Sequence, residues 1–236
     1  MVFNSGPYSK YIHMIYFVPT PIGNREDMTL RALEVLKEVD LITCEDTRHS
    51  RPLLEHYGVA KPVIALHDHN EAKKAPELIE QAINGKNIAV ITDAGMPAVS
   101  DPGYRLLRAC IENEVAYTVL PGPSAILTAL VGSGFPVHAF YYGGFLPVKK
   151  GKRSKALAKA AESEVTAIFF ESPHRILSTL EILSEEYPDQ PVCIARELTK
   201  KFETFHRGTA KEMFEHFSHH KAKGEIVFLI APSDFT

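Results

Sequence analysis

Three short apolar runs, each leading into a turn of glycine and proline, constrain this 236-residue chain more than any other feature. The first is Ile15-Tyr16-Phe17-Val18, followed by Pro19-Thr20-Pro21-Ile22-Gly23-Asn24. The second is Ile88-Ala89-Val90-Ile91, followed by Thr92-Asp93-Ala94-Gly95-Met96-Pro97. The third is Val119-Leu120, followed by Pro121-Gly122-Pro123-Ser124-Ala125. Apolar runs bounded by turn residues read as buried strands. The turn after such a strand lies at the carboxyl edge of an α/β sheet, where ligands bind. Small residues there let backbone amides and carbonyls come close to a ligand. One such turn is ordinary; three on one edge point to a site that grips a small molecule through its backbone.

The rest of the composition narrows the field. With 45% hydrophobic and 23% charged residues, the chain can fill a core of one large α/β domain or two smaller ones. A formal net charge of −3 gives no global attraction to nucleic acid or anionic lipid, so any such contact must come from a local patch. Cys44, Cys110 and Cys193 are distant in sequence and odd in number, each in or beside an apolar run. That reads as buried free thiols in a reducing cytoplasm. No apolar stretch reaches the roughly 18 residues of a membrane span. Residues 1–13 lack the apolar centre and cleavage pattern of a signal peptide and read as an extension or expression remnant ahead of Met14.

Strands are expected at Ile15–Val18, Leu41–Cys44, Val63–Leu66, Ile88–Thr92 and Tyr117–Leu120, with helical patterns between them. Leu30, Leu33 and Leu36 mark one helix face behind the cap Thr29; Leu106, Leu107, Cys110 and Ile111 mark another. This alternation predicts a mostly parallel sheet covered by helices. The second half opens with a small-residue helix, 124–131, and a Gly/Pro/aromatic passage, 132–147, then a basic stretch, 149–155. Further strands are expected at Ala167–Phe170, Val192–Arg196, Glu203–His206 and Ile226–Ala231, with a helix through Ile176, Leu177, Leu180 and Leu183. Only a short helix separates the last two strands, which suggests a mixed sheet with antiparallel pairs. A boundary near Pro121–Ser124 then gives an N-terminal domain of residues 14–122 and a C-terminal domain of residues 123–236.

Motifs for a dinucleotide fold, a P-loop, a zinc protease or a paired-cysteine metal site are all missing. His67-Asp68-His69 offers two imidazoles but no further ligand at metal spacing, so a polar loop is expected and no metal. What remains is a set of polar strings, each behind an apolar strand. They are Cys44-Glu45-Asp46-Thr47-Arg48, His67-Asp68-His69-Asn70-Glu71, the run from Asp93 to Gly103, Glu171-Ser172-Pro173-His174-Arg175, and Arg196-Glu197-Leu198-Thr199-Lys200-Lys201. Each has a plain structural reading, such as Asp101 capping a helix before Pro102, or Glu171 and Arg175 as a local ion pair. Five at comparable positions argue for chemistry.

At these strings the sequence resembles the tetrapyrrole-methylase superfamily, the class III S-adenosylmethionine-dependent methyltransferases. Within it the chain is similar to the bacterial 16S ribosomal RNA cytidine-2′-O-methyltransferases. Besides the strings above, Thr20-Pro21-Ile22-Gly23-Asn24, Ser100-Asp101-Pro102-Gly103, Pro121-Gly122-Pro123-Ser124-Ala125 and Gly144-Phe145-Leu146-Pro147 carry the resemblance, in order from Met14 almost to the end. It implies a two-domain class III fold, with a mostly parallel N-terminal sheet, a mixed C-terminal sheet, S-adenosylmethionine in the inter-domain cleft and a homodimer. Carried over by position, it implies cofactor contacts at Pro21, Asp93, Ala94, Gly95, Met96, Val99, Ser124, Ala125 and Glu171, with Leu198 a looser correspondence. Longer members carry a small additional helical domain after the position of Ile226–Ala231, so RNA affinity here is expected from elsewhere or from a dimer. Met96 stands where a smaller residue is common and would narrow the pocket.

Ribose methylation is an in-line displacement that needs a positioned oxygen, a base and a cation, and no metal. The candidates are Asp46, Arg48, His69, Glu171, His174 and Arg196, and the residues do not say which is the base. Lys149, Lys150, Lys152, Arg153, Lys200 and Lys201 are candidate phosphate contacts to the small ribosomal subunit or its RNA. Tyr141, Tyr142 and Phe145 are candidates to stack an unpaired base, with core packing expected for at least two. Competing readings are a methyltransferase acting on a tetrapyrrole or a protein side chain, and a non-catalytic cofactor-binding regulator.

Overall fold

The computed structural model describes residues 14–235, and the reading of residues 1–13 as an extension falls outside them. The chain divides into two compact units, one ending at Pro123 and the other starting at Ser124. Among the described residues no helix is long and apolar enough to cross a membrane.

The first unit alternates β1 (Ile15–Phe17), α1 (Leu30–Glu38), β2 (Leu41–Cys44), α2 (Thr47–His56), β3 (Val63–Ala65), α3 (Glu71–Ile83), β4 (Ile88–Val90), α4 (Tyr104–Glu112) and β5 (Tyr117–Val119). Every neighbouring pair is parallel, in the order β3-β2-β4-β1-β5. The period-2 alternation of a strand divides its apolar residues between two layers. Ile15, Phe17, Ile88 and Val90 pack with Leu78, Leu106 and Cys110 of α3 and α4. Ile42, Ala89 and Ile91 pack on the other side with Ala32, Leu36 and Leu54 of α1 and α2. The Thr29 hydroxyl caps α1 as expected, accepting from the Ala32 amide at 3.1 Å. This order makes β4, β1 and β5 consecutive, so the three glycine-proline turns sit side by side on one edge although they are far apart in sequence.

The second unit contains α5 (Ala125–Ser133), β6 (Phe140–Phe145), α6 (Lys150–Ala161), β7 (Thr166–Glu171), α7 (Ile176–Glu186), β8 (Pro191–Arg196), β9 (Thr204–Thr209), α8 (Ala210–His219) and β10 (Ile226–Ile230). Its sheet runs β6-β7-β10-β8-β9; only β6 and β7 are parallel, and the other pairs are antiparallel. Leu157, Leu180 and Phe217 from α6, α7 and α8 meet Phe169, Ile194 and Phe228 in the core of this unit.

Two elements differ from the sequence reading. The passage 132–147 contains strand β6, whose alternation is broken by a register shift between Tyr142 and Phe145, with Gly144 at φ +67°. The basic stretch opens α6, because Arg153, Leu157 and Ala160 recur on one buried face behind the lysines. All three cysteines are buried and free. Burial pushes the Cys110 thiol up to about 12 and the Cys193 thiol to about 11, so neither is a nucleophile near neutral pH.

Candidate active site

The three turns of the first unit are joined. Thr20 and Gly95 form a two-bond antiparallel bridge, each amide donating to the other's carbonyl at 3.0 Å. The buried Thr20 hydroxyl donates to the Thr92 carbonyl at 3.0 Å, fixing the first turn to the second again. Gly95 sits at φ +79°, where a β-carbon is strained, and one built there would lie 3.4 Å from Ile22 and 3.9 Å from the Pro123 carbonyl. At Gly122 a β-carbon would stand 2.9 Å from that of Pro19, so glycine is what lets the third turn close on the first. Pro21 is buried, Ala94 is exposed, and Met96 and Val99 are half-buried along the same loop. Beyond them Ala98 and Ser100 adopt φ +68° and +63°. Strain of this kind persists only where the surroundings impose it, and it concentrates at functional loops.

Next to these turns, strand ends deliver carboxylates whose charges act on Asp101 and Glu45. Glu45 follows β2, Asp68 lies beyond β3, Asp93 follows β4, and Asp101 is carried by the strained loop. Burial first, then the charges of Glu45, Asp93 and Asp68, push the Asp101 carboxyl up to about 7. Burial, with Asp93 and Asp68, raises Glu45 in the same way. Asp46 behaves oppositely. Its carboxylate caps α2 and accepts from the Arg48 guanidinium at 2.7 Å and the Arg48 amide at 2.8 Å. Those hydrogen bonds hold it down to about 2, too acidic for an effective base. Arg48 is thereby paired with Asp46 and almost fully exposed. The Asp46 amide reaches the Asp93 carboxylate at 3.4 Å, tying the two strings together. His69 is exposed, its ring 6.0 Å from that of His67.

Asp101 is not the helix cap that the sequence suggested. The N-terminus of α4 is capped from α3, where buried Glu71 accepts from the Gly103 and Leu106 amides at 3.0 and 3.1 Å. Glu71 is therefore occupied, and Asp101 is left to the carboxylate group. Asp101 and Glu45 are the site residues that the strings alone did not single out. The signal was present in the recurrence of acids behind three successive strands.

In the second unit the polar strings are mostly committed to structure. Glu171, expected as a catalytic and cofactor residue, has a fully buried carboxylate contacted by Arg175 at 2.6 Å, the Thr179 hydroxyl at 2.7 Å and the Ser172 amide at 2.7 Å. Arg196 donates to the Lys223 carbonyl at 2.6 Å and the Thr204 hydroxyl at 3.0 Å. Lys200 is paired with Glu197 at 3.2 Å and Glu225 at 2.9 Å. Arg153, expected on RNA, is 6% exposed and donates to Ser178 at 3.1 Å, so it braces α6 against α7. His174, Lys149, Lys150, Lys152 and Lys201 are exposed. Leu198 is buried between Glu197 and Thr199, at φ +50° and +62°. Ser124 caps α5 through the Leu127 amide at 3.5 Å, and Ala125 opens that helix. No cluster of three or more His, Cys, Asp or Glu side chains suited to a metal ion occurs among the described residues.

A family model described as tetrapyrrole (corrin/porphyrin) methylases matches residues 14–213. The ribosomal RNA small subunit methyltransferase I of Haemophilus influenzae is 48% identical over 223 residues, covering 92% of this chain and 78% of its own. The protein of the same name from Escherichia coli O157:H7 is 48% identical over 220 residues, covering 92% and 77%. Among solved structures, the methyltransferase CobJ superposes with a TM-score of 0.70 over 94% of this chain and 95% of that one; at 20% identity it speaks to the fold alone. With a family model that runs through both units, and relatives of this identity matched over three quarters of their length, the chain belongs to the tetrapyrrole (corrin/porphyrin) methylase family.

Proposed function

We propose that the protein is an S-adenosylmethionine-dependent methyltransferase acting on the ribose 2′-hydroxyl of a cytidine in 16S ribosomal RNA, at the decoding centre of the small subunit. The observation that carries the reading is the joined set of three turns beside a carboxylate held near neutrality. Relatives named for ribosomal RNA methylation, at 48% identity, support it over a tetrapyrrole or protein substrate and over a regulator.

The residues suit the cofactor. The buried Thr92 hydroxyl at the head of the second turn has no hydrogen-bond partner in the protein. Pro21, Asp93, Ala94, Gly95, Met96 and Val99 would hold the cofactor in the first unit, and Ser124, Ala125 and Leu198 in the second. When bound, it supplies an activated methyl carbon on a cationic sulfonium. The anionic group of Glu45, Asp68 and Asp93 favours a cation there. Asp101 is our base, since an acceptor near pH 7 removes a hydroxyl proton most effectively at that pH. Glu171 serves by fixing the end of β7. No step needs a metal. Arg48 and His69 on the first unit, and His174, Lys149, Lys150, Lys152 and Lys201 on the second, would face RNA. A homodimer and a cytoplasmic location, where ribosomes are assembled, complete the proposal.

The test is transfer of labelled methyl from S-adenosylmethionine to small ribosomal subunits, followed by mass mapping of ribose methylation with and without the protein. Label on a single cytidine ribose is expected, and Asp101→Asn should cut single-turnover transfer by roughly 10²–10⁴-fold. No label on any subunit RNA would overturn the reading.

A further inference from the structure

The two sides of the mixed sheet in the second unit are covered unequally. α6, α7 and α8 pack on one side, whereas α5 packs chiefly on β8, β9 and β10. Over β6 and β7 the second side carries aromatic rings. Those of Tyr142 and Phe145 stand 5.3 and 5.4 Å from Phe170, both edge-on. In an unbroken strand, positions three apart would point to opposite sides; the bulge at Gly143-Gly144 brings Phe145 round to join Tyr142. Phe145 is 61% exposed and Phe140, on the same side by alternation, 42%. Rings this open mark a face that a partner covers.

Charge identifies the partner. From Val115 to Ala161 the sequence has no Asp or Glu, and Lys149, Lys150, Lys152, Arg153, Lys155 and Lys159 fall in its last stretch. In a chain of net charge −3, this is a local reversal. α6 opens directly on these lysines, with no side-chain cap and no acid in its first turn, so its free amides add to the positive field. Phe145 and Lys149 are four residues apart, so their backbones lie within about 14 Å. A duplex keeps its base faces stacked away and has no use for open rings. An unpaired strand offers both flat apolar faces and phosphates.

We infer that the aromatic face of β6 and β7, together with the lysines that open α6, is one docking strip for single-stranded RNA. Bases lie against Phe145 and its neighbours Tyr142 and Phe170, and phosphates on Lys149, Lys150 and Lys152. This rests on the reading that RNA is the substrate; it adds that the bound segment is unpaired and where it is held.

Fluorescence anisotropy of the full chain with a labelled RNA strand of about 12 nucleotides, against a duplex of equal length, tests it. The strand should bind more tightly than the duplex. Phe145→Ala should weaken strand binding roughly tenfold with an unchanged salt slope, and Phe145→Trp should retain it. Lys149→Glu with Lys150→Glu should instead flatten the slope of log affinity against log salt by about 1–2. Unchanged strand affinity in Phe145→Ala, or a preference for duplex, overturns the strip. So does a dimer that Phe145→Ala converts to monomer at constant strand affinity, which would assign the face to a second copy. Methylation of small subunits by the unaltered protein is assayed alongside. If it succeeds while Phe145→Ala binds strand normally, only the strip falls; if it fails, the proposed function falls by itself.

Discussion

Both units place acids and bases at the ends of buried strands, but they use them differently. In the second unit Glu171 is matched by Arg175, Thr179 and Ser172, and Arg196 and Lys200 are similarly engaged. In the first, Glu45, Asp68, Asp93 and Asp101 converge with an excess of negative charge, and Asp101 keeps its proton to about pH 7. Paired charges hold backbone in place; unmatched ones are available to a ligand or a proton. The same kind of motif is therefore paired in one half and left with unmatched charge in the other, and only the surroundings tell them apart.

The sharpest way to break this contrast is at Glu171. Glu171→Ala leaves the Arg175 guanidinium and the Thr179 hydroxyl facing an empty buried site, and should cost about 3–5 kcal/mol in urea unfolding. A loss below about 1 kcal/mol, with methyl transfer abolished, would make Glu171 chemical and erase the distinction. Gly122→Ala comes next. Its methyl would press on Pro19 at 2.9 Å and part the first and third turns, costing about 1–3 kcal/mol and weakening S-adenosylmethionine binding by calorimetry. Normal cofactor affinity in that variant would detach the turns from the site.

The smallest effect concerns pH. In an unfolded chain Asp101 would titrate near 3.9, whereas in the fold it titrates near 7. The folded state thus binds the extra proton, and the stability this gives is full below about pH 4 and lost as pH rises to about 7. Asp101→Asn keeps a neutral group throughout, so its melting temperature should rise relative to the unaltered protein as pH goes from 5 to 8. Parallel melting curves across that range would show that the carboxylates do not interact as described.

The sequence discloses the turns and the strands that feed them because glycine, proline and apolar runs are local signals. It does not disclose that the Thr20 and Gly95 backbones pair, since that follows from β1 lying beside β4, a matter of strand order. Glu71 was read in a polar string, yet its work is to cap α4 more than thirty residues later, where no spacing rule reaches. Asp101 looks like a cap in the sequence because Pro102 follows it; its proton affinity comes first from burial and then from three carboxylates, both of which only the fold supplies. Strand β6 was hidden by two glycines that the bulge requires, and Arg153 by lysines that share its helix but not its face.

The position of β1 between β4 and β5 has a consequence for how the protein comes into being. The cradle draws on residues from the beginning and from the very end of the first unit, so a ribosome-bound chain cannot form it until that unit has emerged whole. Any methyl donor that binds there selects the finished fold over every partial one, by mass action.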